Sequence, residues 1–442
     1  MWLVDTGRQR VLCDPLLGDS HHCGVFETVP RRRVDAKALR PDLIVISHRH
    51  GDHFDIPSLR QLALSYPHAT VVTPDPLVAW AARTLGFADV EVLGAGHQIQ
   101  LHEGKLVTIP SLAKLEWGVM IGTAEGVAWN QVDTVLPDPD KVRVMVDALL
   151  QWFGAPHVAL SLARWHPLLE IAAQLNRSTD FPHDDYARLL LQIEAVGARA
   201  VVPSASGCAH TRSWRWLDHY EYTLTEARFL RDLAAISPDT DGFPARTGAL
   251  YRVRDHAVEF VEHGAASLVE LEPTEDPRVY KPLCVPALHD PNPSGMDEGM
   301  MRGVVRNWIA DTLAPAIAER WPRMRADGPL RFAIEAVFPT TTDAYTIVAD
   351  RDGARVMETF DPDWDALNGV VGSLLWEVID GRRHWGDVLL AGGLRTANRA
   401  YAIDHGRLQR AAVADTFLYY GLSYDASVEQ AVRREVARVL DA

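Results

Sequence analysis

Short runs of apolar, β-branched residues alternate with amphipathic segments along the first 260 residues. Residues 42–45 predict a buried strand, and the segment from Pro57 has apolar positions at helical spacing. Asp75-Pro76 predicts a helix start and Gly86 its end. Further strands are predicted at 89–93, 98–101, 105–109, 117–122, 126–129, 155–162, 200–203, 250–253 and 257–261. Further helices are predicted at 141–150 and 184–196. Thr223 and Glu226 predict a capping box at the start of another helix, which runs to Ile236.

The second part of the chain has a different pattern. Residues 281–299 are rich in proline and turn residues, which predicts a linker. Beyond it we expect a helix at 304–317, a strand at 331–338, a hairpin at 345–349 and 355–360, and helices at 364–379 and 427–440. This order predicts a smaller α+β domain, similar to the sterol-carrier pattern of small apolar-ligand modules. The predicted division is 1–265, a linker at 266–300, and 301–442.

Composition narrows the class of protein. A chain of 442 residues is long enough for two domains. The balance of 44 basic and 59 acidic residues, a net charge of −15, argues against nucleic acid or an anionic membrane as partner. No apolar run is long enough to span a bilayer, and the N-terminus lacks the features of a signal peptide. Four scattered cysteines give no disulfide framework, so a cytoplasmic location is expected.

The run His48-Arg49-His50-Gly51-Asp52-His53 is the strongest chemical signal in the chain. A lone histidine is usually structural, but three imidazoles and a carboxylate just past a strand predict a metal site. His48 and His50 can converge on one ion. Asp52 and His53, one turn further on, are directed at a neighbouring position. The spacing therefore favours two ions.

This motif resembles that of the metallo-β-lactamase superfamily. The resemblance implies an αββα sandwich with a dinuclear metal site at the sheet edges, spanning residues 1–265. It also implies that Asp14, in Asp-Pro-Leu-Leu-Gly, orients a ligating histidine, and that Asp133, in Asn-Gln-Val-Asp, bridges the metals. The loop with His21, His22 and Cys23 is expected to border the site as lining.

The chain departs from the hydrolytic members of that superfamily, which supply two further histidines. Leu112 stands in the usual Pro-Ser-His position, and Glu116 lies in the same loop. At the second position small residues, 204–207, replace the histidine. His210 or His219 could reach back to the metals. A site rich in carboxylates and poorer in imidazoles favours iron or manganese over zinc.

The pattern is similar to the non-haem diiron monooxygenases of antibiotic biosynthesis, exemplified by the hydroxylases of the chloramphenicol and platensimycin/platencin pathways. It implies hydroxylation of an unactivated C–H bond of a natural-product intermediate with O2 as co-substrate. His48, His50 and Glu116 would hold one iron, and Asp52 and His53 the other. Asp133 would lie between them. Glu116 and Asp133 are the candidate catalytic residues.

The resemblance also implies partners. The substrate is expected to be a small molecule, bulky and apolar, with a carboxylate or thioester handle. CMP-N-acetylneuraminate hydroxylase, similar at residues 130–133 and 203–206, carries a Rieske centre held by C-x-H-type pairs, and the four cysteines here form no such pair. A separate electron-transfer reductase is therefore expected. The C-terminal domain could be a lid, a substrate domain or the interface of a homodimer.

Two other classes of function stay open. A dinuclear zinc or manganese hydrolase, acting on a lactone or phosphodiester through metal hydroxide, would work without oxygen and would recruit His210 to the second metal. A binding scaffold that has lost its metals is disfavoured, because the residues of the motif are intact.

Overall fold

The computed structural model describes residues 1–272, 276–281, 284–324, 328–413, 417–418 and 424–442, without the side chain of Glu170. Its first 19 strands are β1 (Trp2–Asp5), β2 (Arg10–Cys13), β3 (Ser20–His21), β4 (Phe26–Thr28), β5 (Arg32–Val34), β6 (Leu43–Val45), β7 (Thr70–Thr73), β8 (Val90–Val92), β9 (Gln98–Leu101), β10 (Gly104–Pro110), β11 (Trp117–Thr123), β12 (Gly126–Asn130), β13 (Leu160–Arg164), β14 (Ala200–Ser204), β15 (Cys208–His210), β16 (Asp241–Gly242), β17 (Leu250–Arg254), β18 (Ala257–Val261) and β19 (Val269–Leu271). The helices between them are α1 (Ala36–Leu39), α2 (Ile56–Ser65), α3 (Pro76–Leu85), α4 (Pro139–Phe153), α5 (Glu170–Gln174), α6 (His183–Val196), α7 (Asp218–Glu221) and α8 (Glu226–Ile236), with 3-10 turns at His22–Gly24 and Arg212–Leu217.

Two sheets form the centre of the N-terminal part. The first has the order β1-β2-β6-β7-β8, with only the β1–β2 pair antiparallel. The second has the order β16-β14-β13-β12-β11-β10-β9, and it changes from parallel to antiparallel pairing between β13 and β11. Parallel pairs need crossover helices, which explains why α2, α3, α4 and α6 alternate with these strands.

Side-chain alternation along the strands builds one core between the sheets and one on each outer face. Val11 and Val45 point inward and meet Trp117 and Val119 of the second sheet. Ile44, the residue directly before Val45 on β6, points outward and packs under α2 and α3. The outer face of the second sheet is covered by α4, α6 and α8. The predicted αββα sandwich is therefore confirmed.

Local signals account for most element ends. Asp75 caps α3 by accepting a hydrogen bond from the Leu77 N–H, and Gly86 ends the helix in the left-handed region (φ 114°). The predicted Thr223–Glu226 capping box is wrong, because Thr225 is the capping residue and accepts from the Arg228 N–H. The strand predicted at 155–162 begins only at Leu160.

The C-terminal part is an α+β unit, as predicted. Its elements are α9 (Glu298–Trp308), a π-helical turn (Ile309–Leu313), α10 (Ala314–Met324), β20 (Leu330–Val337), β21 (Thr342–Asp350), β22 (Gly353–Met357), β23 (Ala366–Val371), α11 (Gly372–Ile379), α12 (Trp385–Leu390), β24 (Leu394–Asn398), β25 (Tyr401–Asp404), β26 (Arg407–Arg410) and α13 (Tyr424–Asp441). The main sheet has the order β22-β21-β20-β23-β24, in which only β20 and β23 are parallel. The helix predicted at 364–379 is wrong in its first half, which forms β23.

The two parts of the chain pack closely together. Helix α13 lies on α2 and α3 and buries Val428, Val432 and Val436 in their apolar cluster. Phe26, from β4, joins the core of the C-terminal sheet. Strand β19, within the predicted 266–300 linker, pairs with β5, while residues 273–275 and 282–283 lie outside the described part. The predicted domain boundaries and the sterol-carrier likeness stay predictions.

Candidate metal centre

The metal-binding motif lies on the loop that leaves β6 at the middle of the first sheet. Ser47, two residues after the end of β6, is held by Asp14: its N–H donates to Asp14 Oδ1 (2.8 Å) and its hydroxyl to Asp14 Oδ2 (3.0 Å). Asp14 itself has a left-handed backbone (φ 48°). Such a conformation costs on the order of 1–3 kcal/mol and is typical of functional loops.

Two groups of possible ligand atoms converge here, and both contain Asp133. The first is His48, His50 and Asp133, and the second is Asp52, His53 and Asp133; within each group the atoms lie within 4.8 Å of one another. The same oxygen, Asp133 Oδ2, is 3.8 Å from His48 Nε2 and 3.3 Å from His53 Nε2. A carboxylate shared in this way is the arrangement expected for a bridge between two ions.

The hydrogen bonds of two histidines direct one ring nitrogen of each toward the other candidate ligands. His53 Nδ1 donates to Asp14 Oδ2 (3.0 Å). Its buried Nε2 makes no aligned hydrogen bond within the described residues and faces the two carboxylates of its ligand group at 3.0 and 3.3 Å. Because the Ser47 hydroxyl donates to Asp14, it accepts from His48 Nδ1 (2.9 Å), so His48 Nε2 keeps its lone pair. His48 Nε2 faces His50 Nδ1 at 2.9 Å. The residues therefore fit a pair of metal ions.

Charge at the site favours a cation. Burial opposes ionisation of Asp133, but His53 and His48 hold the pKa of its carboxyl well below the usual range. Burial also lowers the pKa of His48 and of His50, so both rings are neutral ligands at pH 7. Burial opposes protonation of His53 as well, yet the carboxylates of Asp52 and Asp133 raise its pKa well above 6.5. Its proton occupies a position that a metal ion can take.

Glu116 lies beside these groups but outside both of them. Its Oε1 accepts a hydrogen bond from the Ser111 hydroxyl (2.6 Å). The same hydroxyl oxygen accepts from the Val135 N–H (3.0 Å), which ties the loop of Glu116 to the loop of Asp133. Burial raises the pKa of Glu116. Its assignment as an iron ligand stays a prediction.

The two histidines that could have reached back have other partners. His210 is fully buried, and its Nδ1 pairs with Asp218 Oδ1 (3.0 Å). His219 Nδ1 donates to the carbonyl oxygen of Tyr280 (2.9 Å). Neither belongs to the two ligand groups found among the described residues.

His22, which was expected to line the site, contacts one of the predicted ligands directly. Its Nε2 faces Asp52 Oδ1 (3.2 Å), and its Nδ1 faces Asp387 Oδ1 (3.1 Å) of α12. Burial lowers its pKa, but the two carboxylates outweigh burial and raise it to about 9. The neighbouring His21 stacks on Phe26, and burial lowers its pKa to about 3. No sequence signal connects His22 with a residue so far along the chain.

Comparison with known proteins supports the fold of the N-terminal part. A family model described as "Beta-lactamase superfamily domain" matches residues 9–118. A protein of Mycolicibacterium smegmatis named for a Rieske 2Fe-2S iron-sulfur centre is 27% identical over 216 residues, which cover 46% of this chain and 41% of that protein. The chain thus spans about two fifths of that relative's length.

Among solved structures, two that resemble this chain come from proteins of different kinds. CmlA, a diiron β-hydroxylase from Streptomyces venezuelae, is 13% identical, with a TM-score of 0.36 over 59% of this chain and 52% of that chain. YhfI, a metallo-β-lactamase fold protein from Bacillus subtilis, is 10% identical, with a TM-score of 0.37 over 55% of this chain and 87% of that chain. The family match and the sheet arrangement together assign the metallo-β-lactamase fold to the N-terminal part. No helix within the described ranges has the length and apolar character needed to cross a membrane.

Proposed function

We propose that the protein is a diiron monooxygenase that hydroxylates an unactivated C–H bond of a natural-product intermediate. The observation that carries this proposal is the single oxygen of Asp133 facing the histidines of both ligand groups. One shared carboxylate between two sets of ligands is the geometry of a dinuclear centre, which a structural mononuclear site does not need.

The composition of the ligand set supports iron. Three imidazoles and the carboxylates of Asp52 and Asp133 converge, with Glu116 next to them. In the described chain, no further histidine joins either group. Oxygen ligands favour iron and manganese over zinc, and their charge offsets that of ions that become more oxidised during the reaction.

The chain's own residues would position the metals. A bound iron pair would supply the activation of dioxygen, with two electrons and two protons entering for each C–H bond hydroxylated and one water leaving. Asp14 fixes one histidine in each ligand group, because it accepts from His53 directly and from His48 through Ser47. Asp133 would contribute its carboxylate to both ions. Glu116 would complete the first ion's ligands after turning from Ser111.

The surroundings support an apolar substrate. Leu112, Leu115 and Val135 expose 69%, 45% and 46% of their surface on the two loops that carry Glu116 and Asp133. The loops are neighbours, because the Leu112 N–H donates to the Val135 carbonyl oxygen (3.0 Å). Exposed aliphatic side chains beside a polar centre suit a bulky apolar substrate with a carboxylate or thioester handle. A separate reductase would supply the electrons.

One observation favours the hydrolase alternative. The Glu116 carboxylate is hydrogen-bonded to Ser111, so the groups that converge without rearrangement hold three imidazoles and two carboxylates. A zinc or manganese pair in such a set would generate hydroxide for cleavage of a lactone or phosphodiester.

Metal content and oxygen dependence separate these two functions. We expect protein purified from iron-supplemented cells to hold two irons per chain, with a Mössbauer spectrum of a coupled pair. Given a chemical reductant, iron-loaded protein should consume oxygen well above the rate of the same protein loaded with zinc. Stoichiometric zinc with iron absent, and hydrolysis under anaerobic conditions, would support the hydrolase instead.

A further inference from the structure

Asp387, in the C-terminal part of the chain, contacts a histidine that lies next to the metal centre. Asp387 is 2% exposed, lies in the first turn of α12, and faces His22 Nδ1 at 3.1 Å. The other ring nitrogen of His22 faces Asp52 Oδ1 at 3.2 Å. Carboxylate, imidazole and carboxylate thus form a continuous chain from α12 to a proposed metal ligand.

The first two residues of this hydrogen-bonded series, Asp387 and His22, are held firmly by the surrounding structure. Helix α12 is anchored by Trp385, Val388 and Leu389, which belong to the core of the C-terminal sheet. His22 has a left-handed backbone (φ 50°), which costs about 1–3 kcal/mol in a residue other than glycine and persists only where surrounding contacts hold it. Its ring lies against Gly51 of the metal loop, where an added Cβ would be 3.1 Å from Nδ1.

The two carboxylate oxygens of Asp52 contact different histidines. Oδ1 faces His22, whereas Oδ2 lies 3.0 Å from His53 Nε2, inside the second ligand group. An Asp52 side chain that is held at Oδ1 presents Oδ2 to the ion in one orientation. Hydrogen bonds that orient a ligand from outside are typically worth 10–100-fold in metal affinity.

We infer that Asp387 is a positioning residue for the metal centre: it orients His22, which orients Asp52 toward the second ion. The inference rests on the proposed dinuclear centre. It gives the C-terminal part a role in the site that does not depend on contact with substrate. It also predicts that the two parts of the chain must be docked for the second ion to bind tightly.

The test compares two isosteric substitutions of buried aspartates in the full-length protein. Asp387→Asn alters the hydrogen bonds that lead through His22 to Asp52. Asp290→Asn is the control, because it alters an equally buried carboxylate that accepts from the Ser373 N–H (2.8 Å) and hydroxyl. Co²⁺ is titrated in each protein and followed by its visible spectrum and by competition with a chelator. We expect the affinity for the second Co²⁺ ion to be 10–100-fold lower in Asp387→Asn and unchanged in Asp290→Asn.

Thermal unfolding of each metal-free variant separates affinity from folding. Equal melting temperatures for the two variants, with weak cobalt binding only in Asp387→Asn, support the inference. A double-mutant cycle with His22→Gln should show that the loss from Asp387→Asn largely disappears once His22 is gone. Wild-type affinity in Asp387→Asn, or additive losses in the cycle, would overturn it. Failure of the wild-type protein to bind two ions would overturn the proposed function as well.

Discussion

Asp133 is the residue on which the dinuclear assignment depends most directly. It follows Val132, whose left-handed backbone (φ 55°) is unusual for a β-branched residue and directs the carboxylate toward both ligand groups. Asp133→Ala should therefore remove both ions together and lower activity by at least about 100-fold. Metal analysis after dialysis measures this. The side chain of Asp138 is 71% exposed, so Asp138→Ala is the matched control and should keep both ions. Retention of one full ion by the Asp133 variant would argue against a bridge.

Asp14 acts on both metals although it belongs to neither ligand group. Its Oδ2 accepts from His53 Nδ1 and from the Ser47 hydroxyl that fixes His48. Asp14→Asn replaces one acceptor with a donor, so we expect a 10–100-fold loss of affinity for both ions, measured by chelator competition. Asp42 directly precedes the first residue of β6, at the end away from the metal loop, so Asp42→Asn should leave the metal affinity unchanged. A loss confined to one ion would show that only one of the two contacts matters.

Glu116 distinguishes the two candidate functions at the level of one side chain. If it turns from Ser111 to an iron, Glu116→Ala should reduce iron content and abolish reductant-driven oxygen uptake. Ser111→Ala breaks the hydrogen bond to Oε1 but leaves the carboxylate, and it should keep the iron. Full iron content and oxygen uptake in Glu116→Ala would remove this residue from the ligand set.

Among the secondary structure elements, α13 makes an unexpected contribution to the core of the N-terminal part. Val428, Val432 and Val436 share one face at i, i+4 and i+8 and pack on α2 and α3. Val432→Ala should lower the free energy of unfolding by about 2 kcal/mol, since each buried methylene is worth about 0.8 kcal/mol and a cavity remains. Leu440→Ala, at a 40% exposed position of the same helix, should change it by less than about 0.5 kcal/mol. Denaturant unfolding followed by circular dichroism measures both.

Elements with clear periodicity, caps or flanking turn residues were predictable from sequence, whereas a buried strand that runs directly into an apolar helix was not. The metal loop follows a short apolar run, and α3 has both a capping aspartate and a terminal glycine. Residues 366–371 form a central strand buried mostly on both faces, and such a strand lacks the alternation that distinguishes it from a buried helix. The apolar helix α11 follows at once, so the two elements merge into one predicted helix.

At the scale of the whole molecule, the metal centre is assembled from distant parts of the chain. Local sequence places His48, His50, Asp52 and His53 within six residues, and topology brings Asp14 and Asp133 to the same sheet edges. The contact between His22 and Asp387 joins positions 365 residues apart and has no local signature. Only tertiary packing determines this contact. The metal-binding motif could therefore be predicted from the sequence, whereas the residues that hold its ligands from the C-terminal part could not.

The whole molecule should also respond to pH in opposite senses with and without metal. Burial opposes protonation of His53, but Asp52, Asp133 and Asp14 raise its pKa well above 6.5. In the metal-free protein the His53 proton therefore contributes stability that is fully present below pH 6.5 and is lost as pH rises through the folded pKa.

A bound ion requires neutral His53, so metal binding must displace that proton. His48 and His50 are already neutral, because burial lowers their pKa. The overall affinity for the ion pair should thus rise about tenfold per pH unit from pH 6.5 upward, up to the folded pKa, with one proton released by the protein. Zn²⁺ calorimetry in buffers of different ionisation enthalpy measures this release, and the melting-temperature gain from zinc should grow with pH. Affinity that is constant across this range would show that His53 is not a ligand.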